Sequence, residues 1–363
     1  MNNPKILPDK SLLSVDRAIT ELRKQRPVLI ENSGKYYLVY DSEFATSSIL
    51  AVTGKTLKSK PMLLISNARA KYLELDYKKA ECFVLELTPK TDLAKYAEVF
   101  KPEAWPVTKS AVKLAKQAKP AKLSFMLELA KHAELLPSVI FFEVKKSQIK
   151  NADFVCVQAK HINSYGKHNP QSLDMVVEAA VPLHYGDAKV VVFRPSSGGY
   201  EHMAVIFGNV KKGVPLVRVH SSCITGDILG SLKCDCGDQL KLALQKIASD
   251  GCGVLVYVNQ EGRGIGFVNK MRAYNLQEQK IDTMDANEII GFSTDEREFM
   301  VASVILKKLG VKKIRLLTNN PKKINGLIEL GIEVKERVPL VVQSNKRNAN
   351  YLKTKAKKAG HLF

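Results

Sequence analysis

No stretch of this 363-residue sequence approaches the unbroken apolar length that a membrane span requires, and its start, Met1-Asn2-Asn3-Pro4-Lys5, has no apolar core followed by a cleavage site. A cytoplasmic chain is expected, with no membrane partner. Cysteine is scarce: six residues, at 82, 156, 223, 234, 236 and 252, make no dense disulfide framework, which agrees with a reducing compartment. No internal repeat stands out, and no basic strip is interleaved with aromatics. Acidic residues are few, 36 against 56 Lys and Arg, so the formal charge is +20. What is present is ordinary for a globular protein, 45% hydrophobic and 25% charged, in a chain long enough for two cores.

Three explanations compete for the positive charge: nucleic acid, a polyanionic small substrate, or a lysine bias spread over the surface. Lysine is scattered through both halves, which favours bias together with a phosphorylated ligand over nucleic acid. The densest run, Lys346, Arg347, Lys353, Lys355, Lys357 and Lys358, follows the last acidic residue, Glu336, and reads as a solvated or frayed tail.

Two α/β blocks are expected, each a mixed sheet with flanking helices. The first alternates helix Val15–Lys24, strands at Pro27–Ile30, Tyr36–Tyr40 and Cys82–Leu87, helices near Val107–Ala118 and Leu123–His132, and strand Ser138–Val144. Polar residues with Gly166 and Pro170 suggest a linker over 161–175. The second block has strands around Ala188–Phe193, Met203–Phe207, Val214–Val219 and Val254–Val258. Helices at Asp238–Ser249, Phe267–Gln279, Asp295–Leu309 and Pro321–Leu330 follow, with strands Ile314–Leu317 and Ile332–Glu336 between and after them. Domains are therefore set at 1–160 and 176–343, with a tail at 344–363. The functional-looking loops each follow a strand and precede a helix, where α/β sheets bind ligands.

Cys223, Cys234 and Cys236 form a C-x10-C-x-C pattern, three soft thiolates without a fourth. A structural zinc normally takes four protein ligands, whereas a catalytic one keeps a position for water. Buried free cysteines in a reducing compartment are the plainer alternative, and a fourth ligand such as His220 or Cys252 would make the site structural.

Two loops look suited to anions. Glu261-Gly262-Arg263-Gly264-Ile265-Gly266 brings backbone close while Arg263 offers a planar fork, although it lacks dinucleotide-fingerprint spacing and the Walker lysine with Ser/Thr. Thr318-Asn319-Asn320-Pro321-Lys322-Lys323 places a cap, a proline and two lysines at a helix start, where cations oppose the macrodipole unless an anion faces them. A plain turn and an ordinary capped helix are the alternatives. Ser293 with Glu296 reads as a capping box; Arg297 in that first turn calls for an anionic partner, and Asp295 is either a base or a helix-end acid.

Together these segments, with Arg218-Val219-His220-Ser221, Asn269-Lys270-Met271-Arg272-Ala273-Tyr274 and Asp282-Thr283, closely resemble GTP cyclohydrolase II over about residues 176 to 342. The resemblance implies zinc-dependent opening of the guanine imidazole ring of GTP at the entry to riboflavin synthesis, with release of formate and pyrophosphate. It implies that Cys223, Cys234 and Cys236 hold zinc whose water attacks C8. Asp295 matches the proton acceptor, Tyr274 a catalytic tyrosine, and Arg297 the proposed nucleophile toward the α-phosphorus, for which a permanently cationic side chain is better suited as an electrostatic stabiliser. Arg218, Val219, His220, Ser221, Ser222, Gln239, Glu261, Gly262, Arg263, Thr283, Thr318 and Lys323 fall on nucleotide contacts. Magnesium is implied as the triphosphate counter-ion, and a homodimer as the assembly. Two positions depart from the family: Ser222 stands where Glu is usual, and Asn259 where a basic residue is usual.

The first block resembles a decayed 3,4-dihydroxy-2-butanone 4-phosphate synthase through Val15-Asp16-Arg17-Ala18-Ile19, Val28-Leu29-Ile30 and Pro137 to Glu143. Ser33-Gly34-Lys35-Tyr36-Tyr37-Leu38 replaces the acidic metal-binding motif and Val107-Thr108-Lys109 the His-Thr-Glu motif, so a scaffolding role without synthase activity is expected. Two other readings remain open for the whole chain: a nucleic-acid-binding module with structural zinc, and a catalytically weakened regulatory partner.

Overall fold

The computed structural model describes residues 9–87, 93–102, 105–149, 153–293, 296 and 299–342. It has two compact units whose boundaries cut the chain after residues 166, 264 and 296, so 265–296 belongs to the first unit and the sequence on either side of it to the second.

The first unit is built on a seven-stranded sheet: β1 (Val28–Asn32), β2 (Lys35–Asp41), β3 (Met62–Ser66), β4 (Cys82–Glu86), β5 (Lys119–Ala121), β6 (Ser138–Val144) and β7 (Cys156–Gln158), in the order β5-β4-β3-β6-β2-β1-β7. All neighbours are antiparallel except β1 with β7. Its strands are apolar at successive positions because both faces are covered. Ile30, Val39 and Phe141 face one core with helices Lys10–Arg23 and Ser124–His132, while Leu29, Leu38 and Phe142 face the other. Helices Phe267–Glu278 and Thr283–Ile290 complete the unit.

The second unit holds β8 (Leu173–Leu183), β9 (Gly186–Pro195), β10 (His202–Phe207), β11 (Leu216–Ser221), β12 (Gly253–Val258), β13 (Lys313–Leu317) and β14 (Glu333–Val338), in the order β14-β13-β11-β12-β10-β9-β8. β12, β11, β13 and β14 run parallel, and β10, β9 and β8 continue antiparallel. Val217, Val256 and Leu316 pack on one face with helix Met300–Lys308, and Leu216, Leu255 and Leu317 on the other with helix Cys236–Asp250. The parallel core brings the carboxyl ends of β11, β12 and β13 to one edge, so the loops after them share it.

The expected linker is ordered: helix Ala159–His168 runs into a 3-10 turn, Asn169–Ser172, and β8. Gly166 is tolerated inside that helix, and Pro170 sits at the start of the turn, where its missing N–H is no loss. Helix Met300–Lys308 begins later than the sequence suggested. Of the expected capping box the Glu296 half is present, its carboxylate accepting from Ser293 N at 2.8 Å. Asp295, Arg297 and the tail from 344 lie outside the described residues. No helix among the described residues is long and apolar enough to cross a membrane.

Asp41, at the end of β2, is 5% exposed, and its Oδ2 finds no hydrogen-bond partner among the described residues. Burial, aided by the Glu43 carboxylate, pushes its carboxyl up to about 7. The folded state therefore holds a proton that the unfolded chain has released, and this contribution, full below about pH 4, is lost as pH rises through 7. Asp41→Asn is expected to raise the thermal unfolding temperature at pH 8, by an equivalent of about 2–4 kcal/mol, and to change little at pH 4; calorimetry at both pH values checks it.

Candidate metal and nucleotide site

The Cys223, Cys234 and Cys236 sulfurs lie within 4.8 Å of one another, with Cys223 and Cys234 3.8 Å apart. Zinc–sulfur bonds of about 2.3 Å at tetrahedral angles space sulfurs by about 3.8 Å. A hydrogen bond with the neighbouring Cys223 sulfur, with burial and charge repulsion behind it, pushes the Cys234 thiol up to about 11 and that of Cys236 well above its usual range. A divalent ion reverses that preference, so the donor set fits a metal. Among the described residues no fourth His, Cys, Asp or Glu joins the group. His220 Nε2 is taken by Asp227, and the Cys252 sulfur donates to the Asn209 carbonyl instead.

Two glycines make the convergence possible. A Cβ on Gly226 would stand 2.9 Å from Cys234 Sγ and 3.1 Å from Cys223 Sγ, and one on Gly237 would stand 2.2 Å from the Gly226 carbonyl oxygen. Two carboxylates fix the loop at its first cysteine. Asp227 accepts from Cys223 N at 3.0 Å, and Glu261, 6% exposed, accepts from Ile224 N at 2.7 Å. Asp227 is itself held by Tyr257 Oη at 2.9 Å and by His220 Nε2 at 3.1 Å, and the His220 and Tyr257 rings stack at 5.5 Å. Burial lowers the His220 imidazole below its usual range. A neutral imidazole then donates through Nε2 to the carboxylate, a tautomer assigned from the geometry.

The loops after β11, β12 and β13 are tied by buried polar contacts. Arg218 donates to the Leu317 carbonyl at 3.0 Å and to Gln239 Oε1 at 2.5 Å; Gln239 in turn donates to Asp235, between the second and third cysteines, at 2.6 Å. Lys323 Nζ, 6% exposed as a residue, donates to the Val219 carbonyl at 2.9 Å, and Thr318 Oγ1 accepts from Asn320 N at 3.1 Å. Asn320 caps helix Pro321–Glu329 as the sequence suggested. Gly262 and Arg263 both adopt left-handed backbone, φ 62° and 65°, and the Gly262 N–H donates to the Glu261 carboxylate at 2.9 Å. Arg263 holds that conformation at a steric cost.

Cys223, Cys234, Cys236, Arg218, Val219, His220, Ser221, Ser222, Gln239, Glu261, Gly262, Arg263, Thr318 and Lys323 thus all belong to the second unit. Tyr274 and Thr283 belong to the first: Lys270 Nζ lies 5.6 Å from the Tyr274 ring centre, and Thr283 opens a helix capped by Asp282. Sequence reading missed Asp227 and Tyr257, whose only signal is their place beside the first cysteine and at the end of β12.

The two departures from the family pattern touch each other. Ser222 Oγ donates to Asn259 Oδ1 across a long 3.4 Å and accepts from Gln260 N at 3.1 Å. Asn259 N donates to His202 Nδ1 at 3.0 Å, and burial lowers that imidazole to about 4, which keeps it a neutral acceptor. A neutral pair stands where a carboxylate and a cation are usual.

The GTP cyclohydrolase II family profile matches residues 174–339. A GTP cyclohydrolase-2 of Azospirillum brasilense is 39% identical over 376 residues, covering 99% of this chain and 96% of its own. One from Buchnera aphidicola is 50% identical over 192 residues, 53% of this chain and 98% of its own. The riboflavin biosynthesis protein RibBA of Phocaeicola vulgatus is 47% identical over 208 residues, 57% of this chain and 52% of its own. A solved two-domain 3,4-dihydroxy-2-butanone 4-phosphate synthase from A. baumannii aligns at TM-score 0.33 and 16% identity over 91% of this chain and 99% of its own, too slight a likeness to bear on the fold.

Gly226→Ala is expected to abolish metal retention, read by metal content after dialysis, because its Cβ would crowd two of the three sulfurs. Ser222→Glu alone buries an unpaired carboxylate at a 7% exposed position and is expected to cost about 1–3 kcal/mol in thermal or denaturant unfolding, with recovery when Asn259→Arg is added. Whole-chain similarity to the Azospirillum protein, together with the family match over residues 174–339, makes this chain a member of the GTP cyclohydrolase II family.

Proposed function

We propose that the chain hydrolyses GTP, opening the imidazole ring to give 2,5-diamino-6-(5-phosphoribosylamino)pyrimidin-4(3H)-one with release of formate and pyrophosphate, the first step of riboflavin biosynthesis. The observation that carries this reading is the convergence of three thiols, within 4.8 Å, in the loop after β11 of a parallel sheet. Cys223, Cys234 and Cys236 would hold zinc, which when bound acidifies water and polarises the ring carbon at which formate forms. Magnesium would accompany the triphosphate.

The chain's own residues then bind and orient. Arg263, half-buried on its left-handed turn beside Gly262, takes a phosphate in its fork. Buried Arg218 and Lys323 and half-buried Gln239, all hydrogen-bonded, hold the β11 edge, with Val219 to Ser222 and Thr318, in register for the nucleotide. Glu261 keeps the first cysteine's loop closed while the next two residues meet the anion. Tyr274 and Thr283 supply the catalytic hydroxyl and a further nucleotide contact, Asp295 accepts a proton, and Arg297 stabilises charge at the α-phosphate, because a guanidinium stays cationic at any working pH. The Ser222–Asn259 contact agrees with an intact site, since it leaves no unpaired charge at these two positions. Six free cysteines agree with the reducing cytoplasm as the place of action, and a homodimer as the assembly follows from the family resemblance. The first unit is read as synthase-like without synthase chemistry, its acidic motif replaced by residues 33–38.

Anaerobic incubation of zinc-loaded protein with GTP and magnesium should release formate and pyrophosphate together, and Cys234→Ser should abolish formate. Pyrophosphate without formate would locate a defect at the metal's surroundings. Neither product, with zinc still bound, would favour the regulatory or nucleic-acid-binding alternative.

A further inference from the structure

Residues 265–296 carry Tyr274 and Thr283, yet they belong to the first compact unit, with 1–166. The buried face of helix Phe267–Glu278 joins polar Asn269 and Lys270 to apolar Ala273 and Leu276. Asn269 is 0% exposed and Lys270 is 7% exposed, and the side chain of Arg272 is 17% exposed. Apolar contact alone would leave such a helix free to slide or rotate, whereas buried polar groups demand partners at fixed angles.

Those partners lie on the first unit. Arg272 forms a two-pronged ion pair with Glu43, at 2.7 and 3.2 Å, and Glu43 also accepts from Leu136 N at 2.7 Å. Asn269 Nδ2 donates to the Glu134 carbonyl and to that of Ile265, each at 2.9 Å. Together they fix the rotation of the helix two residues from Tyr274.

The other end of the segment is tied as firmly. Arg69, 2% exposed, donates to the Ile289 carbonyl at 2.9 Å and to carbonyls at the end of helix Leu93–Phe100, those of Val99 and Glu98, and to that of Lys101 just beyond. One cation thus faces the negative ends of two helices. Ser66 Oγ donates to the Gly291 carbonyl at 2.7 Å, and Lys71 pairs with Glu288 at 2.6 Å. Phe292 and Ile290 bury beside Leu136, closing the joint.

We propose that the first unit is a positioning platform for the segment bearing Tyr274 and Thr283, with Glu43 and Arg69 as its positioning residues. This rests on the cyclohydrolase reading for the roles of Tyr274 and Thr283, and it gives a unit without synthase chemistry a part in turnover. Glu43 sets the helix of Tyr274 and therefore governs kcat; the Arg69 and Lys71 contacts set the helix opened by Thr283 and therefore govern KM for GTP.

The test uses the full, zinc-loaded chain. Glu43→Gln should lower kcat for formate release on the order of ten- to a hundred-fold, the penalty of slight misplacement, with KM little changed and zinc content intact. Lys71→Met, at a more exposed pair that tolerates change, should raise KM several-fold with less effect on kcat. Hydrogen exchange should quicken at amides 267–290 in each variant while β11 to β13 stay protected. Unchanged kcat and KM in both variants would overturn the proposal, as would unchanged exchange across 267–290. If the wild-type chain releases no formate, the cyclohydrolase reading fails, and the exchange data alone then decide whether these contacts hold the segment.

Discussion

Three sulfurs gathered within 4.8 Å repel one another once ionised, and much of the second unit is arranged around that fact. The arrangement needs two residues without side chains, Gly226 and Gly237, where backbone passes close to sulfur and to backbone. It also needs the amides flanking Cys223 to be held from outside, by Asp227 and Glu261, because the four-residue helix after that cysteine is too short to hold itself. From there the hydrogen bonds run on through Gln239 and Arg218 to the end of β13. A cation among the sulfurs would favour their ionised form, which the neighbouring sulfurs otherwise disfavour.

Much of this was legible in the sequence. The C-x10-C-x-C spacing brought the three cysteines together as expected, and strands such as β6, β10 and β12, apolar at successive positions, announced a sheet covered on both faces. The Asn320 cap and Pro321 marked their helix start correctly. Strand β8 was missed because nearly all its residues are exposed, so no burial pattern marks it. Helix Ala159–His168 was missed because its polar outer face and Gly166 resemble a connecting segment. The membership of 265–296 in the first unit was hidden for a different reason: it depends on partners such as Glu43 and Arg69, some two hundred residues away along the chain. Local pattern carries no signal of such pairings.

The departures at 222 and 259 show why single positions mislead. Each alone looks like a loss of charge beside a metal site. Side by side, Ser222 and Asn259 form a neutral contact, extended by the Asn259 amide onto a histidine that burial keeps uncharged. A pair of opposite charges and a pair of neutral groups are both self-consistent inside a protein, while either mixture leaves a charge without its counterpart.

The Arg69 junction has a property that ion pairs lack. Its four acceptors among the described residues are main-chain carbonyls, which every amino acid supplies, so residues 98, 99, 101 and 289 are free to drift without removing an acceptor. Only the donor is specified by a codon. Within these four bonds mutational sensitivity is concentrated on a single position, and because neither guanidinium nor carbonyl titrates near neutrality, they hold across the pH range in which Asp41 changes its charge.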